Sequence, residues 1–271
     1  MNAPIRHRLI HASDHDLSGH FPLLRLPLGG DTGVLELPTY FLVVSLALCI
    51  SIVWLVRRTD QAGLSRNRAL DLALILMVGG MLGARLFHVF FEEPHYYFEN
   101  PWRVLEIWRG GFVWFGGALS GAALGLLYLR WRQGAYGVWL DLFAPICALG
   151  YALGRVACLL TGCCYGRICT LESGRSFRLP AQLFAVFWEL IALAVLLHLE
   201  KRRPQWLRKS GQLFVLWLAL HSVGRILMEA MRADPRGAEI FGLSQATLIS
   251  LVVGAWSIFQ IINQVKRTSW H

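Results

Sequence analysis

"DLFAPICALGYALGRVACLLTGCCYGR", residues 141–167, sets one arginine, Arg155, inside an apolar run and closes that run with two adjacent cysteines. A hydrocarbon core of about 30 Å is crossed by about 20 apolar residues rising about 1.5 Å each. The segment 138–163 meets that length, and so do 38–56, 70–91, 111–129, 180–199, 211–231 and 244–263. Pro38 and Pro180 stand at first-turn positions, where a missing N–H costs nothing. The composition agrees: of 271 residues, 55% are hydrophobic and only 16% charged, outside the usual range of a soluble domain. The expected fold is an all-α integral membrane protein, a polytopic bundle of seven transmembrane helices filling 35–265. A polar N-terminal tail, 1–34, precedes it and a short tail, 266–271, follows.

A net charge of +9 would suggest nucleic acid in a soluble protein. Here the basic residues sit in short gaps between apolar runs, as orientation signals do, and no basic stripe with interleaved aromatics is present. Counted over alternate gaps, thirteen Lys and Arg fall on the side of "EKRRPQWLRK" and ten on the other. The richer side reads as cytoplasmic, which puts the N-terminus in the periplasm and the C-terminus in the cytoplasm. The first 34 residues lack the apolar core and cleavage site of a signal peptide. His7, His11, His15 and His20 are spaced irregularly there, which favours a solvated tail over a metal site.

The remaining basic residues, Arg85, Arg155 and Arg225, lie within spans. Each costs on the order of 2.5–3.5 kcal/mol at a helix centre before it finds a partner. Spans two, four and six all run from inside to outside, and these arginines fall about 15–17 residues along them, or about 22–26 Å. All three are therefore expected at one level in the outer half of the bilayer. Gly116 and Gly117 in span three and Tyr40 near the start of span one reach the same level. In span six His221, Arg225 and Glu229 recur every fourth residue, so they share a helix face. One acid does not neutralise three guanidiniums, and a phosphodiester suits their planar forks. The surplus positive charge calls for an anionic phospholipid headgroup. Transport is disfavoured because the charges gather at one level and do not line a path through both leaflets.

Series of small residues, Gly79, Gly80 and Gly83, then Gly117, Gly121 and Gly125, then Gly150 and Gly154, let helix backbones approach closely. Gly116 and Gly117, beside the arginine level, are expected in addition to leave room for a headgroup.

With these residues placed, the chain resembles the prolipoprotein diacylglyceryl transferases of bacterial inner membranes. The resemblance is carried by "GARLFHVFF", "IWRGGFVWFGGALSG", "DLFAPICALGYALGRVACLLTGCCYGR", "PAQLFAVFWE", "GRILMEAMRADP" and "LSQATLISL", in that order from Tyr40 to about residue 250. It implies transfer of the diacylglyceryl group of phosphatidylglycerol to the lipobox cysteine thiol of a preprolipoprotein, with no cofactor and no metal. By resemblance Arg155 engages the headgroup, Arg225 is the second catalytic arginine, and Tyr40, Arg85, Gly166, Glu229 and Arg232 match motif positions. The chain departs from the family in two places: Phe115 stands where a histidine precedes the paired glycines, and Cys158 where an asparagine is usual. A phenylalanine accepts no proton, so His88, near Arg85, and His221 are the candidate substitute bases, although a lone histidine on a membrane helix more often packs or hydrogen-bonds. The alternative reading, motivated by Phe115, is a non-catalytic homologue that binds anionic phospholipid or lipoprotein signal peptides.

Cys158, Cys163, Cys164 and Cys169 read C-x4-C-C-x4-C. The pattern lacks the close C-x2-C pairs of structural zinc, and Cys158 lies more than a turn inside the span, so a metal site is disfavoured. A disulfide from Cys163 or Cys164 to Cys169 is the more natural expectation in an oxidising compartment, and pairing of adjacent cysteines is strained. A membrane thiol-redox protein would need a second exchanging pair, which Cys49 and Cys147 do not supply.

Overall fold

The computed structural model describes residues 23–28, 33–107, 110–132, 134–170, 176–233 and 242–269. The four histidines of the N-terminal tail, and Arg109, Arg175 and Arg236, lie outside the described residues. Eight α-helices dominate: α1 Thr39–Gln61, α2 Arg66–Phe87, α3 Pro94–Glu99, α4 Trp114–Trp131, α5 Tyr136–Leu160, α6 Ala181–Arg202, α7 Gln212–Met231 and α8 Gln245–Ser269. Four short strands, β1 Leu23–Leu28, β2 Gly33–Pro38, β3 Ile168–Thr170 and β4 Ser176–Arg178, form two antiparallel hairpins. The first hairpin leads directly into α1, so part of the expected polar tail is strand. Helix α8 continues to Ser269, past the boundary expected at 265.

Among the described residues, six helices are long and apolar enough to cross a membrane: α1, α2 with the π turn His88–Glu92 that extends it, α5, α6, α7 and α8. The chain is an integral membrane protein with multiple crossings. Helix α4 has 18 residues and is not among the six, because Gly116, Gly117, Gly121 and Gly125 occupy positions that aliphatic side chains fill elsewhere. Those glycines are spent on contact with α2, the most extensive helix pairing in the molecule. A Cβ on Gly116 would stand 2.4 Å from Phe87 Cβ and 2.7 Å from the Gly83 carbonyl oxygen. One on Gly117 would stand 2.9 Å from the Gly80 oxygen. On the side where a Cβ would stand, the space that Gly116 and Gly117 leave is filled by α2 itself.

Elsewhere the packing is that of a membrane bundle, with aliphatic side chains outward and polar ones inward. Leu46, Ile50 and Val53 of α1, Phe187 and Ile191 of α6, and Val252 and Phe259 of α8 are exposed, whereas Arg58, Arg85, Gln182, Glu189 and Glu229 are buried. At one end of the bundle Arg58 clasps Glu200 through both terminal nitrogens at 3.0 and 2.7 Å and donates to the Leu142 carbonyl at 3.2 Å. Nearby, the Asp141 carboxylate of α5 accepts the Gly211 and Phe214 amides at 2.7 and 3.1 Å. It thereby satisfies donors that the first turn of α7 leaves open. Both contacts fix α5 against its neighbours and so set the height of everything further along α5 and α7.

Candidate functional site

The opposite ends of α5 and α7 carry the inward-facing arginines. Helix α5 stops at a Schellman turn. Gly162 takes φ +69°, its amide donates to the Leu159 carbonyl at 3.2 Å, and the Cys163 amide donates to the Cys158 carbonyl at 3.1 Å. Gly166, four residues on, is held between two backbones. Its amide donates to the Leu179 carbonyl, and the Arg167 amide to the Met231 carbonyl, each at 3.0 Å. A Cβ on Gly166 would stand 2.5 Å from the Leu179 oxygen and 3.0 Å from the Met231 oxygen. This position needs glycine for close approach, and it ties the loop after α5 to the last turn of α7, opposite Arg232.

On α7, Glu229 pairs with Arg225 and lies 3.7 Å from Arg232. Arg155 and Arg232 both lie within electrostatic reach of Arg225. Arg155 lies over the Tyr151 ring at 4.7 Å. Among the described residues no carboxylate stands within ion-pair distance of it. Tyr40 lies within electrostatic reach of Arg155 and of Cys158, Cys163 and Cys164. The structure therefore brings together Tyr40, Arg155, Gly166, Arg225, Glu229 and Arg232.

Arg85 is not part of this group. Its side chain is buried and its donors go to main-chain carbonyls: Nε to Val104 at 3.1 Å, Nη1 to Gly110 and Gly111 at 2.5 and 3.2 Å, and Nη2 to Arg103 and Glu106 at 2.7 and 3.3 Å. The Tyr97 and Phe112 rings flank it at 5.2 and 6.0 Å. The expected convergence of Arg85 with Arg155 and Arg225 is corrected, because its fork is already taken by the carbonyls of Arg103, Val104, Glu106, Gly110 and Gly111. His88 belongs to the same lobe, 3.5 Å from Glu92 and edge-on to Tyr97 at 5.9 Å.

Glu189, Trp217 and Tyr151, which the sequence did not single out, join the α5–α7 site through His221. Glu189, in the middle of α6 and only 2% exposed, accepts His221 Nδ1 at 2.5 Å and the Trp217 indole at 3.4 Å. The His221 ring meets Tyr151 edge-on at 4.6 Å. A continuous row, Glu189, His221, Tyr151 and Arg155, thus connects α6 to the arginines. A lone acid in an apolar span was the available signal for Glu189.

All six cysteines are free. The expected disulfide to Cys169 is not formed: Cys169 pairs in register with Phe177 across the β3–β4 hairpin. Cys158 joins Cys163 and Cys164 instead, and the three sulfurs lie within 4.8 Å of one another. The Cys164 thiol is pulled below its ordinary range, first by hydrogen bonds from Cys158 and Cys163 and then by the charges of Arg232 and Arg155, with burial opposing.

The family described as Prolipoprotein diacylglyceryl transferase matches residues 31–263. A Symbiobacterium thermophilum protein named phosphatidylglycerol–prolipoprotein diacylglyceryl transferase is 31% identical over 89% of this chain and 93% of its own length. Proteins of that name from Dehalococcoides mccartyi and Clostridium tetani are 30% and 28% identical, covering 89% and 83% of this chain and 95% and 92% of their own lengths. With a match along nearly the whole bundle, the chain belongs to the prolipoprotein diacylglyceryl transferase family.

Proposed function

We propose that this protein transfers the diacylglyceryl group of phosphatidylglycerol to the lipobox cysteine of preprolipoproteins, with Arg155 and Arg225 at the reacting headgroup. The observation that carries this reading is the group Arg155, Arg225 and Arg232, with the carboxylate Glu229 between Arg225 and Arg232. Arg155 rests on an aromatic face and meets no acid among the described residues. A guanidinium so placed keeps donors for a phosphodiester.

The chemistry needs a C–S bond formed at glycerol C3 as the C–O bond to phosphate breaks. Negative charge then grows on the departing phosphate, and Arg155 and Arg225 stabilise it. Glu229 orients Arg225 and Arg232, Tyr40 closes the α1 side, and Gly166 keeps Arg232 at its height. The thiol proton must also leave. Of the two histidines, His221 suits this role, since buried Glu189 fixes its ring and Tyr151 alone separates it from Arg155. His88 is spent in the Arg85 lobe. The proton ends on the glycerol phosphate, whose monoester accepts one near pH 6, so the overall exchange balances without a co-reactant.

The membrane setting proposed is the bacterial inner membrane, crossed seven times with α4 as the shortest span. The N-terminus is then periplasmic and the C-terminus cytoplasmic, which places the arginines in the outer half. Purified protein incubated with phosphatidylglycerol and a lipobox peptide should add the diacylglyceryl mass to the peptide thiol. Phosphatidylglycerol binding with no mass added would favour the non-catalytic lipid-binding homologue.

A further inference from the structure

The cysteine cluster is not needed by the reaction as derived, and its geometry suits a different task. The sequence argued against a metal here because Cys158 lies inside the span. The Schellman turn removes that objection, since it lays the residue after the left-handed glycine against the residue five earlier, and these are Cys163 and Cys158. Cys164 then takes φ 58°, a left-handed conformation that non-glycine residues adopt at a cost and that persists where a site demands it. The result is three sulfurs mutually within 4.8 Å. A tetrahedral zinc with about 2.3 Å bonds would set its sulfurs about 3.8 Å apart, so a contraction of about 1 Å suffices. Three thiolates around a divalent ion carry a net charge of −1, and Arg155 and Arg232 are the charges that act on Cys164.

We propose that Cys158, Cys163 and Cys164 form a three-thiolate site for a soft divalent cation, zinc in the first instance, whose fourth position takes the thiol of the incoming lipobox cysteine. Three protein ligands with one open position are the pattern of catalytic rather than structural zinc, and a thiol bound to zinc is deprotonated outright. The proposal rests on the transferase reading and supplies what Phe115 removed. On coordination the S–H bond breaks and an S–metal bond forms, the proton passing to His221. The C–S bond then forms as the C–O and S–metal bonds break, and the metal keeps its oxidation state throughout.

Cobalt(II) tests this without relying on turnover. Full-length protein, reduced and kept anaerobic in detergent, should bind about one cobalt per chain, produce thiolate-to-cobalt absorption in the near ultraviolet, and release cobalt to zinc. Removing a supporting partner of a metal site costs about 10–100-fold in affinity, so Cys158→Ser, Cys163→Ser and Cys164→Ser should each exceed that loss, while Cys169→Ser binds as wild type. A lipobox peptide should shift the visible cobalt bands, and the same peptide with serine in place of cysteine should not. Three titratable thiols with no thiolate–cobalt absorption, or absorption that survives Cys164→Ser unchanged, would overturn the proposal. Transfer by metal-free protein would sink the site and leave the transferase reading intact. Cobalt binding without transfer under any metal would do the opposite.

Discussion

Arg85 and Arg155 both project from spanning helices toward the interior of the bundle, and the sequence gives them the same depth. Their surroundings are opposite. Arg85 spends its fork on the carbonyls of Arg103, Val104, Glu106, Gly110 and Gly111 and lies near the Tyr97 and Phe112 rings. Arg155 sits on one tyrosine face, beside two further guanidiniums and one shared carboxylate. The first is a strut, whose charge is consumed by main-chain dipoles. The second is, on the proposed function, a seat for an anion. Intramembrane charge therefore identifies residues that need partners, and only the donor count tells which partner is already present.

That difference is sharpened first by removing the seat. Arg155→Ala and Arg225→Ala should each lower transfer by about 10²–10³-fold or more, the usual loss when a donor to a developing oxyanion is deleted. Unfolding temperature in detergent should stay near wild type for Arg155→Ala, whereas Arg225→Ala also strips the buried Glu229 carboxylate of its nearer partner and should lower it. Normal turnover in either variant would break the distinction. The strut predicts the reverse pattern. Arg85→Ala removes charged donors from buried carbonyls, and at about 1.5–3 kcal/mol for a single such bond the loss of stability should be on the order of 3 kcal/mol. Arg85→Lys should not restore it, because an ammonium cannot span carbonyls on opposite sides of a planar fork. Thermal unfolding checks both variants.

Next come the two histidines. His221→Ala should reduce kcat by about 10²-fold, the low end for a general base, with Glu189→Gln falling in the same direction. His88→Ala should leave kcat near wild type, and equal losses at both positions would erase the difference between the lobes. The smallest effect concerns the glycines. Gly116→Ala drives a methyl group into Phe87 and the Gly83 carbonyl, an overpacking cost of about 1–3 kcal/mol. Affinity for phosphatidylglycerol should not change in the fraction that folds, since that space belongs to α2.

Much of this was legible from the chain. Apolar run lengths locate the spanning helices, and the four-residue spacing of His221, Arg225 and Glu229 sets the face of α7 that pairs with Arg155. The partners of Arg85 were hidden because its acceptors are carbonyls of an irregular segment, and carbonyls carry no sequence signal. Gly116 and Gly117 were ambiguous for a related reason: a bare backbone is equally suited to a helix and to a ligand, and only the neighbour decides. Glu189 was masked by the apolar residues around it, although its burial against His221 bridges 32 positions. The cysteine cluster depended on one left-handed glycine, Gly162, whose place after an apolar run marks a helix end. That turn reverses the chain and makes Cys158 a neighbour of residues that follow the span.

The most direct test compares bound lipid in three proteins: wild type, Arg155→Ala and Arg85→Lys, each purified in detergent with equal amounts of phosphatidylglycerol and phosphatidylethanolamine. Native mass spectrometry of the folded species reads the bound headgroup. Wild type and Arg85→Lys should both select phosphatidylglycerol, and Arg155→Ala should lose that selection. Selection retained without Arg155, or lost when only Arg85 is changed, would place the anion at the other arginine and contradict the assignment of seat and strut.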